Sequence, residues 1–150
     1  MTVHAPHAPD LSRPDVLPDA AVLAERRQAA ALLRSACERL DPAVVPPEPL
    51  IRPGPTHLTL ECAATVVLRD HADGHRSLAR LAEALPGWDR RLAPGRVARL
   101  EARHAGRTVA ASYVEDERVL VLTVVSASLP VTREQSRRLR GARGAREVAS

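Results

Sequence analysis

Residues 57–69 read HLTLECAATVVLR, and apolar side chains recur at every second position: Leu58, Leu60, Cys62, Ala64, Val66 and Leu68. The positions between them are mostly polar, with His57, Thr59, Glu61, Thr65 and Arg69. Successive side chains of a strand point to opposite faces, so alternation of this length predicts a half-buried strand. Such a strand needs paired neighbours and a layer to cover its apolar face. The rest of the chain has to supply both.

Three further segments fit as neighbours. RVARLEARH (96–104) sets Ala98, Leu100 and Ala102 on one face and Arg99, Glu101 and Arg103 on the other. His104-Ala105-Gly106-Arg107 turns the chain. RTVAASYV (107–114) returns, Glu115-Asp116-Glu117 makes a charged second turn, and VLVLTVVSA (119–127) completes a three-strand meander. The last strand is apolar on both faces, with Val119, Val121 and Val125 opposed to Leu120, Leu122 and Val124. A strand that needs cover on both sides marks Val119, Val121 and Val125 as an expected interface. The cover is expected from a protein partner, from a second copy in a homodimer, or from the N-terminal helix folding back.

Helices bracket these strands. In residues 20–40 Ala29, Leu33, Cys37 and Leu40 form one apolar stripe at helical spacing, and Asp19 is placed to cap the first turn. SLARLAEAL, with Leu78, Leu81, Ala82 and Leu85, predicts a second amphipathic helix that Pro86 and Gly87 stop. Thr132 and Gln135 form a capping-box pattern opening a short basic helix. Residues 41–56 hold six prolines, which excludes helix and central strand and predicts an extended connector. The expected fold class is therefore α+β: an N-terminal helix, then a mainly antiparallel four-stranded sheet built as strand, helix and three-strand meander, with a short C-terminal helix. Residues 1–19, with four prolines, are expected as a disordered leader. Residues 20–129 form a single domain, comprising helix 20–40, connector 41–56 and sheet core 57–129. Residues 130–150 form a basic helix and tail.

Composition limits the partners. All 22 basic residues are arginine; lysine, phenylalanine and asparagine are absent, and Ile51 is the one isoleucine. The missing residues have AT-rich codons, which points to a GC-rich bacterial genome. Arginine then stands wherever lysine would serve, and its abundance says little about phosphate recognition. The formal charge of +4 resides entirely in residues 130–150, where Arg133, Arg137, Arg138, Arg140, Arg143 and Arg146 face only Glu134 and Glu147. A nucleic-acid domain normally carries its basic footprint on the folded body. With one Trp and one Tyr there is also little to stack on bases. Cys37 and Cys62 lie in apolar registers without metal-ligand spacing and are expected as buried, reduced thiols. With no secretory signal pattern, this predicts a cytoplasmic protein. The longest apolar run, residues 119–125, is too short to span a bilayer.

The densest polar cluster is RDHADGHR (69–76), where Asp70, His71, Asp73 and His75 have the right chemistry for zinc ligation or an acid–base pair. Asp73-Gly74 is equally a turn dipeptide, and a solvated turn accounts for the same residues. Thr2-Val3-His4, once Met1 is removed, has the pattern of a square-planar copper or nickel site. No Gly-x-Ser-x-Gly elbow or phosphate-cradling glycine loop is present, and no metal or cofactor is expected. These residues favour a small non-catalytic accessory protein (adaptor, chaperone-like or regulatory module) acting through protein–protein contact. The alternative is a nucleic-acid-associated regulator that uses the arginine-rich tail. A second alternative is a small cyclase- or isomerase-like enzyme with a His/Asp acid–base.

Overall fold

The computed structural model describes residues 16–140. In chain order the elements are α1 (Asp19–Leu40), β1 (Leu50–Pro53), β2 (Thr59–Leu68), α2 (Gly74–Glu83), β3 (Asp89–Ala93), β4 (Val97–His104), β5 (Arg107–Val114), β6 (Val119–Val125) and β7 (Leu129–Pro130). A further helix, α3, runs over residues 133–140. The sheet is antiparallel, in the order β1-β2-β6-β5-β4-β3. The fold is α+β, but the sheet has seven strands where four were expected, and the meander has four strands, β3 to β6.

The four strands expected from alternation are present, and the three additional ones lack that signal for different reasons. β1 lies inside the proline-rich connector. Proline is tolerated there because β1 is an edge strand, paired only with β2. Ile51 is its one buried residue, opposite Cys62. All five residues of β3 are exposed, so it has no apolar period and is held by backbone pairing to β4. β7 is two residues long and pairs with Thr59 and Leu60, on the edge of β2 that β6 occupies further along. Between β6 and β7 the buried Ser126 stands in for the ladder: its N–H donates to the Cys62 carbonyl (2.8 Å) and its Oγ accepts from the Cys62 N–H (2.8 Å).

One face of the sheet carries the core. Leu60, Leu100, Val109, Leu120, Leu122 and Val124 are at most 1% exposed beneath Val22 and Leu33 of α1 and Leu78 and Leu81 of α2. Every member of the predicted α1 stripe is buried. Near the N-terminal end of α1, Glu25 accepts two hydrogen bonds from Arg107 at the start of β5 (2.8 and 3.0 Å). Gly74, which opens α2, sits directly over Tyr113, and a Cβ there would overlap the ring. The helix therefore starts three residues earlier than the apolar spacing predicts, on the one residue type that admits this approach.

One expectation about the ends needs correction. Asp19 does not cap α1; the N-cap is Pro18, with no side-chain hydrogen bond. Asp19 instead accepts from Gln135 (2.9 Å) and Arg138 (2.6 Å), and these bonds, Gln135's first, hold its carboxyl below the usual carboxylate range. α3 is packed against the folded body. Leu139 joins the core, and Gln135 also donates to the Leu17 carbonyl (2.7 Å). The capping box itself is reciprocal: the Gln135 N–H donates to Thr132 Oγ1 (3.1 Å) and the Thr132 N–H to Gln135 Oε1 (2.9 Å).

Candidate functional site

The helices leave the opposite face of the sheet open, and the strand register fixes what it displays. Where β2, β6 and β5 pair with one another, the outward residues are Ala63, Thr65 and Val67 on β2, Val119, Val121, Thr123 and Val125 on β6, and Thr108, Ala110, Ser112 and Val114 on β5. None of these eleven positions is charged. Thr65 and Thr123, directly opposite, share a hydrogen bond between their hydroxyls (3.1 Å). Around them Val67 pairs with Val121, Val119 with Val114, and Val114 with Val97, which gathers five valines at one end of the face. Val67 is 48% exposed and Val97 45%.

Charge begins at the flanks. On β4 and β3 the outward residues include Arg99, Glu101, Arg103, Asp89 and Arg91, and Arg103 donates to Glu101 at 2.8 Å. On the other side Arg52 of β1 pairs with Glu61 at 2.6 Å. An antiparallel sheet with one wet face ordinarily alternates apolar-in and polar-out on every strand. Here the flanking strands follow that rule with charged residues, β2 and β5 place uncharged Thr, Ser and Ala among their outward residues where they pair with β6, and β6 itself is apolar outward except at Thr123.

The sequence-level candidates fall in different places. Val119, Val121 and Val125 lie together on this open face, half-buried by their neighbours within the sheet. α1 does fold back on its own sheet, but over the Leu120, Leu122 and Val124 side, and no described helix covers the valines. Asp70, His71, Asp73 and His75 occupy the β2–α2 turn. Asp70 and Asp73 are exposed, at left-handed backbone positions with φ of 52° and 55°. His71 engages Ser77 Oγ (2.8 Å), its carbonyl accepts from the Tyr113 hydroxyl (2.9 Å), and its N–H donates to the Arg118 carbonyl (2.8 Å). His75 packs edge-on to Tyr113 at 5.4 Å between ring centroids and lies 3.7 Å from Glu115. The two histidines thus both pack against Tyr113 and pin the turn to β5. Among the described residues no three His, Cys, Asp or Glu side chains converge as metal ligands.

Of the tail arginines, Arg133, Arg137, Arg138 and Arg140 are exposed on α3, with Arg138 paired to Asp19. Arg143 and Arg146 lie outside the described residues, as do Thr2, Val3 and His4. Cys37 and Cys62 are free and buried, and burial raises both thiol pKa values above the ordinary range. Among the described residues no helix is long and apolar enough to cross a membrane.

Two features escaped the sequence. Val67, Val97 and Val114 join the open face only once cross-strand register is known, although each is visible as the outward member of an alternating segment. The other is a cleft of about 600 Å³ between α1 and the connector, lined by Arg26, Arg27 and Arg34 from the helix and by Val45, Pro46, Pro47 and Glu48 from the connector. Helical spacing puts Arg27 and Arg34 beside the apolar stripe and Arg26 within it; the return path of the connector makes them a site. Comparison with protein-family models, with curated proteins and with solved structures found no match to this chain.

Proposed function

We propose that the chain is a small non-catalytic accessory protein, an adaptor, chaperone-like or regulatory module of the bacterial cytoplasm, which works by protein–protein contact through the open sheet face. The observation that carries this reading is the run of eleven uncharged outward positions on β2, β6 and β5 between charged flanking strands. Protein interfaces share this feature, a centre depleted of charge inside a polar rim. A solvated face gains nothing from excluding Arg and Glu from its centre in a chain so rich in both. The occupant is a partner protein or a second copy in a homodimer.

The test is sedimentation of the full chain across a wide concentration range, together with binding of an apolar dye. Association beyond the 16.2 kDa monomer that Val121→Asp abolishes, without loss of folded structure, is the expected homodimer result. A monomer that binds dye through the valine face, lost in the same variant, is the expected result for a separate partner. A chain that stays monomeric and binds no dye overturns the reading.

A further inference from the structure

We propose that the cleft between α1 and the proline-rich connector is a binding site for an elongated organic dianion, with two carboxylate or phosphate groups separated by an apolar spacer. The site is independent of the sheet face. Leu23, Arg27, Ala30 and Arg34 follow one another at steps of four, three and four residues, so they form a single stripe along α1. After Leu40 the chain turns at Asp41, where Ala43 donates to its carboxylate (3.0 Å) and Val44 to its carbonyl (3.1 Å). It then runs back beside that stripe to β1. Pro49 is buried, and its carbonyl accepts from Arg26 Nε at 2.8 Å, which anchors the connector toward the N-terminal end of the helix. The stretch from Val45 to Glu48 remains off the helix and forms the second wall.

The chemistry of the walls is one-sided. Pro46 and Pro47 have no N–H to offer, so the donors in the cleft are chiefly guanidinium groups. Three arginines face a single acid, Glu48. Elsewhere the arginines of the folded body include four paired with carboxylates: Arg52 with Glu61, Arg103 with Glu101, Arg107 with Glu25, and Arg138 with Asp19. Arg27 and Arg34 have no such partner among the described residues. Arg26 uses Nε on Pro49 and keeps its terminal amino groups for another acceptor. A genome that writes arginine for every surface cation explains the presence of these residues. Other surface arginines, such as Arg39, Arg69 and Arg76, are equally without a carboxylate partner among the described residues, so what sets this cleft apart is that three arginines line it with one acid.

Spacing sets the ligand length. Arg27 and Arg34 are seven residues apart, or roughly 10 Å along the helix axis. Ala30 lies between them, with Val45 and the prolines opposite, so the middle of the cleft is apolar and its cationic groups lie to either side. Guanidinium binds carboxylate and phosphate in paired hydrogen bonds, and both end groups fit that geometry.

Calorimetric titration of the full chain with succinate, suberate, sebacate and octanoate, at constant ionic strength, tests the site. Suberate or sebacate should bind most tightly, with succinate too short to span the arginines and octanoate, which has one charge, weaker by about tenfold. Arg27→Ala and Arg34→Ala should each weaken suberate binding by about tenfold, and Glu48→Gln should strengthen it. All three positions are exposed, so these variants fold. Octane-1,8-diyl bisphosphate in a parallel titration identifies the preferred end group. Affinity that ignores chain length, that survives Arg27→Ala and Arg34→Ala, or that is undetectable at millimolar ligand overturns the proposal. Val121→Asp leaves suberate binding unchanged, which separates this site from the sheet face.

Discussion

The two faces of the sheet share strands, hydrogen bonds and twist, and differ only in what the alternate residues meet. On one side Leu120, Leu122 and Val124 are buried under α1 and α2. On the other, Val119, Val121 and Val125 stand between the same neighbouring strands with no helix above them. Side-chain chemistry is nearly the same on both sides of β6, so chemistry alone does not decide burial. Connectivity decides it, because every helix of the described chain returns to one face. The fold thus leaves apolar surface that no described helix covers, and the proposed protein contact rests on that surface.

The contrast can be broken most directly by truncating adjacent residues of β6. Leu122→Ala leaves a cavity in a closed core and should cost about 3 kcal/mol in chemical denaturation. Val121→Ala, one residue away, should cost about 1 kcal/mol or less when measured in dilute, unassociated protein. Equal losses would mean that the outer face is already covered within the chain.

Gly74→Ala sharpens the inner-face description. By helix propensity alone the change would stabilise α2 by about 1 kcal/mol. The added methyl would overlap the Tyr113 ring, and overpacking of this kind costs roughly 1–3 kcal/mol. Net destabilisation is expected, and a more stable variant would show that the helix is not seated on Tyr113.

Glu25 reports on how α1 is fastened to the covered face. The paired hydrogen bonds from Arg107, aided by its charge, hold the Glu25 carboxyl below its ordinary value of 4.5. The ion pair therefore stabilises the fold above that value, and its contribution is lost as pH falls through the lower pKa of the folded state. Glu25→Gln should cost about 1 kcal/mol near neutral pH and flatten the acid limb of the stability profile. An unchanged acid limb would place the acid sensitivity elsewhere. The smallest expected effect is that of Gln135→Ala. It removes half of the capping box and the tie to Leu17, for about 1 kcal/mol or somewhat less, seen as a lower melting temperature.

The parts of this fold legible in the sequence are those where burial writes a period. β2, β4, β5 and β6 alternate because one face of each is in the core, and α1 shows its stripe for the same reason. β3 has no buried residue, so no pattern could reveal it, and β7 is too short to have one. In β1 the prolines mask a strand that their edge position permits. Of the open face, the β6 valines were visible because a strand apolar on both sides is conspicuous in isolation. Val67 and Val97 needed a pairing register, which depends on residues far away in sequence. Asp19 shows the opposite failure. A local rule, helix capping, predicted its role, and a helix more than a hundred residues later claims its carboxylate.

The tie between the two ends of the folded body bears on how it is made on the ribosome. Gln135 reaches Leu17 across 118 positions, and the Leu17 N–H donates to the Pro130 carbonyl at 3.0 Å. Synthesis delivers α1 first, yet the strand it packs against in mid-sheet, β6, emerges about eighty residues later, and the side chains that steady its first turn come last. Contacts this distant in sequence fold slowly, because chain closure must be completed before they are rewarded. For most of translation the nascent chain therefore carries an amphipathic helix with no seat and a β2 with no partner on its meander side. The last contacts to form around the first turn of α1 are therefore those made by Gln135 and Arg138.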